Sequence, residues 1–238
     1  MPRSIFVTGT DTGVGKTHVT AGLVRALRRR GVDAGAMKPV ATGTVRGISE
    51  DARTLWAAVD RSDPLDWINP VRLAPPLAPS VAARLSGRSI DLARVWRAYR
   101  ELSGRHEHVV VEGIGGLLVP ILDRYPVARM VRRLGLPLLI VTRPSLGTIN
   151  HTALTVLAAR THGLRILGLV INHHQDFPIG PAERTCRRTL ETECKVPVLG
   201  EIPYRAPERA FDRLADRVWP RAGRPAPDRS PRRPRPRG

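Results

Sequence analysis

Gly9-Thr10-Asp11-Thr12-Gly13-Val14-Gly15-Lys16-Thr17 joins an apolar run, Ser4 to Gly9, to a stretch of helical periodicity, Lys16 to Arg30. A glycine-rich turn between a strand and a helix is a phosphate cradle. Successive backbone N–H groups and the positive end of the helix converge on an anion, a lysine there reaches the β- and γ-phosphates, and the next hydroxyl can meet magnesium. The usual spacing has glycine six residues before the lysine. Here Thr10 fills that place and the outer glycine is Gly9, one step earlier, with the inner Gly-x-Gly-Lys-Thr intact. Gly13, Val14, Gly15, Lys16 and Thr17 are therefore expected to bind ATP with Mg2+.

Outward from this loop, strand-like and helix-like segments alternate. Ala34 to Val40 predicts a second strand, completing a βαβ opening. A short helix is expected over Asp51 to Val59, and two more, Ser80 to Leu85 and Leu92 to Ser103, after the break at Pro75-Pro76-Leu77-Ala78-Pro79. His108 to Gly113, with its unbroken Val109-Val110-Val111, suits a strand covered on both faces. Beyond a helix near Val127 to Leu134, strands at Leu136 to Thr142, Ile166 to Asn172 and Val198 to Ile202 alternate with helices at Thr148 to His162, Ala182 to Cys194 and Pro207 to Arg217. The pattern predicts an α/β fold of the P-loop NTPase type, a mainly parallel sheet with helices on both faces, as one domain over residues 1–220.

Composition narrows the function classes. The chain of 238 residues is 42% hydrophobic, enough for one sizeable core. No apolar run is long enough to span a bilayer, and Pro2-Arg3 leads directly into Ile5-Phe6-Val7, read as a strand rather than a signal sequence. A cytoplasmic protein without membrane contact is expected. Cys186 and Cys194 lack metal or redox spacing and are read as structural thiols, and His106, His108 and the other histidines form no zinc-like pattern. The formal charge of +18 raises nucleic-acid binding as a rival. Residues 221–238, however, hold seven arginines and one aspartate among prolines and small residues, with no aromatic platforms for bases. They are expected to form a disordered tail, and no nucleic-acid contact is expected through it.

The choice of cation is more informative than its amount. Of 39 lysines and arginines only Lys16, Lys38 and Lys195 are lysines, so a lysine marks a place where a compact point charge is needed. Lys38 ends the second predicted strand in Met37-Lys38-Pro39-Val40-Ala41-Thr42-Gly43. Ligands of parallel α/β sheets sit beyond the carboxyl ends of strands, so Lys38 and Thr42 are expected in the crevice of the phosphate loop. Magnesium prefers oxygen ligands, and Glu112, at the end of a buried strand, and Asp51 are the expected carboxylates, with Glu50 a weaker candidate. Gly113-Ile114-Gly115-Gly116 after Glu112 lets a ligand approach the backbone closely.

Taken together, Phe6 to Thr17, Lys38 to Gly43, Val111 to Gly116, Leu146-Gly147-Thr148-Ile149-Asn150-His151 and Leu199-Gly200-Glu201-Ile202-Pro203 resemble the dethiobiotin synthetase family over about residues 5–204. The displaced outer glycine is a feature of that family. The resemblance implies that 7,8-diaminopelargonate, CO2 and MgATP give dethiobiotin, ADP and phosphate through a carbamate and its phosphoric anhydride. It implies catalytic roles for Lys16 and Lys38, and magnesium held by Thr17, Asp51 and Glu112. Gly113, Gly115, Asn172, Pro203 and Tyr204 would meet the nucleotide, and Thr42 the substrate amine or carbamate. A homodimer is implied, in which the helix start at Gly147, Thr148 and Asn150 receives the carboxylate of substrate bound to the partner. Two departures stand out: Asn172-His173 where the family commonly has Asn-Asp, and Ser80 where a histidine is frequent. The rival partitioning ATPases carry an early lysine in the loop, and Asp11 stands in its place here.

Overall fold

The computed structural model describes residues 3–173 and 180–220, so the tail expected at 221–238 lies outside the described residues. The chain runs β1 (Ile5–Gly9), α1 (Lys16–Arg29), β2 (Ala34–Met37), β3 (Val40–Ala41), α2 (Glu50–Ala58), α3 (Leu65–Ile68), β4 (Val71–Arg72), α4 (Pro79–Leu85), α5 (Leu92–Arg105) and β5 (His108–Glu112). It continues through β6 (Pro120–Leu122), β7 (Tyr125–Pro126), α6 (Val127–Leu134), β8 (Leu138–Thr142), α7 (Thr148–Thr161), β9 (Ile166–Asn172), α8 (Pro181–Cys194), β10 (Val198–Ile202) and α9 (Glu208–Val218).

Six of the strands form one parallel sheet in the order β10-β9-β8-β1-β5-β2. Their continuous apolar sequences follow from burial on both faces. Alternate residues serve different layers: Phe6, Val111, Leu138, Ile140 and Leu169 join a core with α5, α6, α7 and α8. Ile5, Val7, Val110, Leu139, Val141 and Val170 join another with α1, α2 and α9. Between these layers every inner strand is shielded from water, and its C-terminal end opens at one rim.

The second strand is shorter than its apolar sequence suggests. β2 stops at Met37; Lys38 N–H then donates to Ile68 O, and Val40–Ala41 pairs with Val71–Arg72 in a separate parallel ladder. Pro39 has no N–H to continue the main sheet, so the chain leaves it immediately after Lys38. β8 likewise begins after Pro137 rather than at Leu136. The short helix α3 and the β6–β7 hairpin have no clear signal in the sequence, being too brief to show a period.

His106, just past α5, clamps two loops to the sheet. Its Nδ1 lies 2.8 Å from Asp33 Oδ1 and its Nε2 3.0 Å from Asp63 Oδ2, and the Asp63 side chain is completely buried. A side chain at Gly35 would come within 2.6 Å of this ring, which is why β2 has glycine there. Replacing His106 with leucine leaves the Asp63 carboxylate, among the described residues, with only the Arg105 Nε, 3.3 Å away. The variant is expected to lose about 3 kcal/mol in denaturant unfolding, and adding Asp63→Asn should restore part of that loss.

Candidate functional site

The loop between β1 and α1 is held open by its glycines. Gly13 and Gly15 have φ of 71° and 88°, in the left-handed region, and a Cβ on Gly15 would lie 2.0 Å from Asn172 Nδ2. Gly15 caps α1 with no side-chain bond to the helix, and the first turn has no acid, so its N–H groups face outward for an anion. The base of the loop is tied to β8 by Thr10 N–H donating to Val141 O at 3.0 Å. Lys16 Nζ folds back to donate to Asp11 O at 3.0 Å.

The ends of β2 and β5 and the first turn of α2 meet this loop. Lys38 Nζ donates to Asp51 Oδ2 and Glu112 Oε1, both at 2.6 Å, and to Gly113 O at 3.3 Å. All three ammonium protons are thereby used. Thr17 Oγ1 lies 2.9 Å from Asp51 Oδ1 and 2.8 Å from Glu112 Oε1. Its single proton serves one of these oxygens at a time. Thr12, Gly13, Gly15, Lys16, Thr17, Lys38, Thr42, Asp51, Glu112 and Gly115 line one cavity of about 380 Å³.

The electrostatics follow from burial. Burial, reinforced by the Lys38 charge, lowers the Lys16 ammonium to about 8. For Lys38 burial also works downward, but Glu112 and Asp51 outweigh it and hold the ammonium above its ordinary value. Glu112 is raised by burial against the pull of Lys38. Asp51 has a desolvation penalty as well, but Lys38 and Thr17 overcome it and keep its carboxyl low. A hydroxyl and two carboxylates fit a hard divalent cation that completes its shell with phosphate oxygens and water. Glu112 Oε2 supports that fit, because it is buried without a hydrogen-bond partner among the described residues.

The other sequence-derived candidates occupy the same rim at varying distance. Asn172 is buried, donates Nδ2 to Val14 O at 3.0 Å, and leaves Oδ1 without a partner among the described residues. Its strand pairs with β10, which places Pro203 and Tyr204 one strand further out, beyond the lining of the cavity. Tyr204 is 40% exposed, with the Arg205 guanidinium 5.3 Å from its ring centroid. At the start of α7, Gly147 has φ of 87° and Asn150 is exposed. Thr148 is engaged internally: its N–H donates to Ser145 O at 3.0 Å, and its hydroxyl is 2.7 Å from Thr142 Oγ1.

That last contact reveals a residue the sequence reading passed over. Thr142, at the buried end of β8, also meets Thr10 Oγ1 at 3.3 Å and Thr152 Oγ1 at 3.1 Å. One hydroxyl thus ties the phosphate loop to the start of α7. The available signal was threonine at a strand end followed by threonines at i+6 and i+10.

Residues 3–208 match a family described as AAA domain. A protein named ATP-dependent dethiobiotin synthetase from Anaeromyxobacter dehalogenans (strain 2CP-1) is 55% identical over 170 residues, covering 71% of this chain and 76% of that protein. One of the same name from Bacillus velezensis is 44% identical over 202 residues, 84% and 86% of the two chains. Among solved structures, the septum site-determining protein MinD with Mg-ADP from Pyrococcus horikoshii superposes with a TM-score of 0.55 at 20% identity, covering 94% of this chain and 98% of that one. A ParA family ATPase from Chlorobium tepidum gives 0.55 at 18% identity, with 93% and 95% covered. At such identities the structural likeness is one of fold.

Because phosphate binding favours charged Lys16, ATP affinity is expected to be greatest below pH about 8 and to fall as pH rises through that value. Calorimetry above it, in buffers of different ionisation enthalpy, should show proton uptake on ATP binding, and Lys16→Ala should lack it.

Proposed function

The chain belongs to the AAA domain family and to the ATP-dependent dethiobiotin synthetase family, and we propose from that premise that it closes the ureido ring of dethiobiotin. It is an ATP-dependent ligase of biotin biosynthesis, as its relatives' names indicate. The proposed substrates are 7,8-diaminopelargonate, CO2 and ATP. The observation that carries the reading is the meeting of Lys16, Thr17, Lys38, Asp51, Glu112 and Thr42 around one cavity.

One amine of the substrate takes up CO2 as a carbamate, losing a proton. A carbamate oxygen attacks the γ-phosphorus and ADP leaves, giving a carbamic–phosphoric anhydride. The second amine then attacks the carbonyl carbon, gives up a proton to solvent and expels phosphate, closing the ring. Lys16 and Lys38 stabilise the negative charge on carbamate and phosphoryl oxygens, Lys16 turning from Asp11 O and Lys38 exchanging one of its present bonds to do so. Lys38 is the deeper of the two, and the surrounding acids keep it charged. Thr42 orients the amine or carbamate with its hydroxyl. Thr17, Asp51 and Glu112 would hold Mg2+, which when bound neutralises charge on the nucleotide phosphates. Asn172 offers its buried amide toward the nucleotide, and Pro203 and Tyr204 flank it.

The proposed assembly is a homodimer. Leu146 is 98% exposed and Leu157 61%, and with Ile149, Leu154 and Leu118 they form an apolar surface around α7. Such a surface fits burial against a second copy. It adjoins Gly147 and Asn150, which would then meet the carboxylate of substrate held by the partner. Among the described residues no helix is long and apolar enough to cross a membrane.

Purified protein is expected to release phosphate from ATP only when diaminopelargonate and bicarbonate are both present. Lys38→Ala should cut kcat about a thousandfold while the protein stays folded, and substrate-independent or DNA-stimulated hydrolysis would remove the reading. Leu146→Arg combined with Leu154→Arg is expected to yield monomers by sedimentation, with ATP binding kept and turnover lost.

A further inference from the structure

A second cavity, of about 970 Å³, shares no lining residue with the first. Arg46, Arg72, Arg88 and Arg94 line it. Among the described residues, the guanidinium groups of Arg46, Arg88 and Arg94 make no hydrogen bond or ion pair, while that of Arg72 pairs with Asp66. Asp91 is the one acid among the described residues of the lining, and its Oδ1 accepts from Ala93 N–H at 2.8 Å. Four guanidinium groups against Asp66 and Asp91 leave an excess of two positive charges.

Arg46 is placed there against local preference. Val45 and Ile48 bridge across a two-residue turn in which Arg46 and Gly47 have φ of 50° and 78°. A turn with both central residues left-handed favours Asn-Gly, so arginine at its first position carries backbone strain.

We propose that this cavity binds a small organic anion carrying two or more phosphate groups. Guanidinium forks match phosphate oxygens in pairs, and the Thr44 and Ser89 side chains add hydroxyl donors to the lining. Ile48, Leu65, Val71 and Leu73 supply an apolar wall for the organic body. The four arginines surround one open basin of small-molecule size, whereas a nucleic-acid backbone is tracked by a longer basic stripe.

The test is calorimetric titration of the full chain with inorganic tripolyphosphate in metal-free buffer, with excess ADP filling the phosphate loop. A binding site should remain under ADP, persist in Lys16→Ala, and weaken at least tenfold in the Arg46→Asn, Arg88→Glu double variant. That variant should melt no lower than wild type, since asparagine suits the turn. Arg94→Gln, outside the turn, should weaken binding in the same direction. Complete suppression by ADP, or wild-type affinity in the double variant, would overturn the site. Tighter binding of a tricarboxylate than of tripolyphosphate would overturn the phosphate assignment, and displacement of the probe by duplex DNA at equal phosphate concentration would give the arginines to nucleic acid.

Discussion

The Lys38 ammonium is held between two carboxylates, one of them fully buried, and the geometry of the site depends on that contact. A buried unpaired ammonium costs several kcal/mol, and a buried carboxylate costs a similar amount. Each is tolerable only because the other is within hydrogen-bond distance. The need for mutual compensation fixes Lys38, Asp51 and Glu112 together and draws Thr17 into the same cluster. The point charge therefore waits beside the phosphate loop before any ligand arrives. In the proposed reaction the ammonium stays in place but exchanges one of these bonds for a ligand oxygen, which frees a carboxylate oxygen for the divalent cation.

The sheet acts as the ruler for this arrangement. Parallel pairing of β1 with β5 and β8, and of β5 with β2, brings strand ends that are distant in sequence to a common rim. Alternation of side chains between two helical layers locks the register, since a one-residue slip would turn Phe6 and Val111 to the opposite core. Core packing and site geometry are therefore one constraint. Pro39 adds a local refinement by turning the chain away from the sheet directly after Lys38, which leaves its side chain at the strand end.

A second line of connection runs from the phosphate loop through Thr142 to the start of α7. The exposed leucines on α7 then carry it to the molecular surface. In the proposed dimer, a single hydroxyl cluster would lie between the nucleotide bound by one subunit and the substrate tail from the other. Buried hydroxyl clusters of this type stay aligned because each lost hydrogen bond leaves a polar group unsatisfied.

Much of this was readable before any coordinates. The phosphate loop declares itself locally, because the backbone N–H groups that bind phosphate belong to consecutive residues. Parallel strands announce themselves by continuous apolar runs. The scarcity of lysine singles out Lys16 and Lys38, while Asp51 and Glu112 follow from their places at element ends. Tertiary structure alone decided that the Lys38 ammonium lies between those two acids, since a contact over 74 residues leaves no local trace. It alone showed that the Thr148 hydroxyl is already engaged, that Thr142 joins two loops, and that four arginines from separate segments line one cavity. Sequence encodes what neighbouring residues do to one another, whereas long-range convergence exists only after the chain has packed.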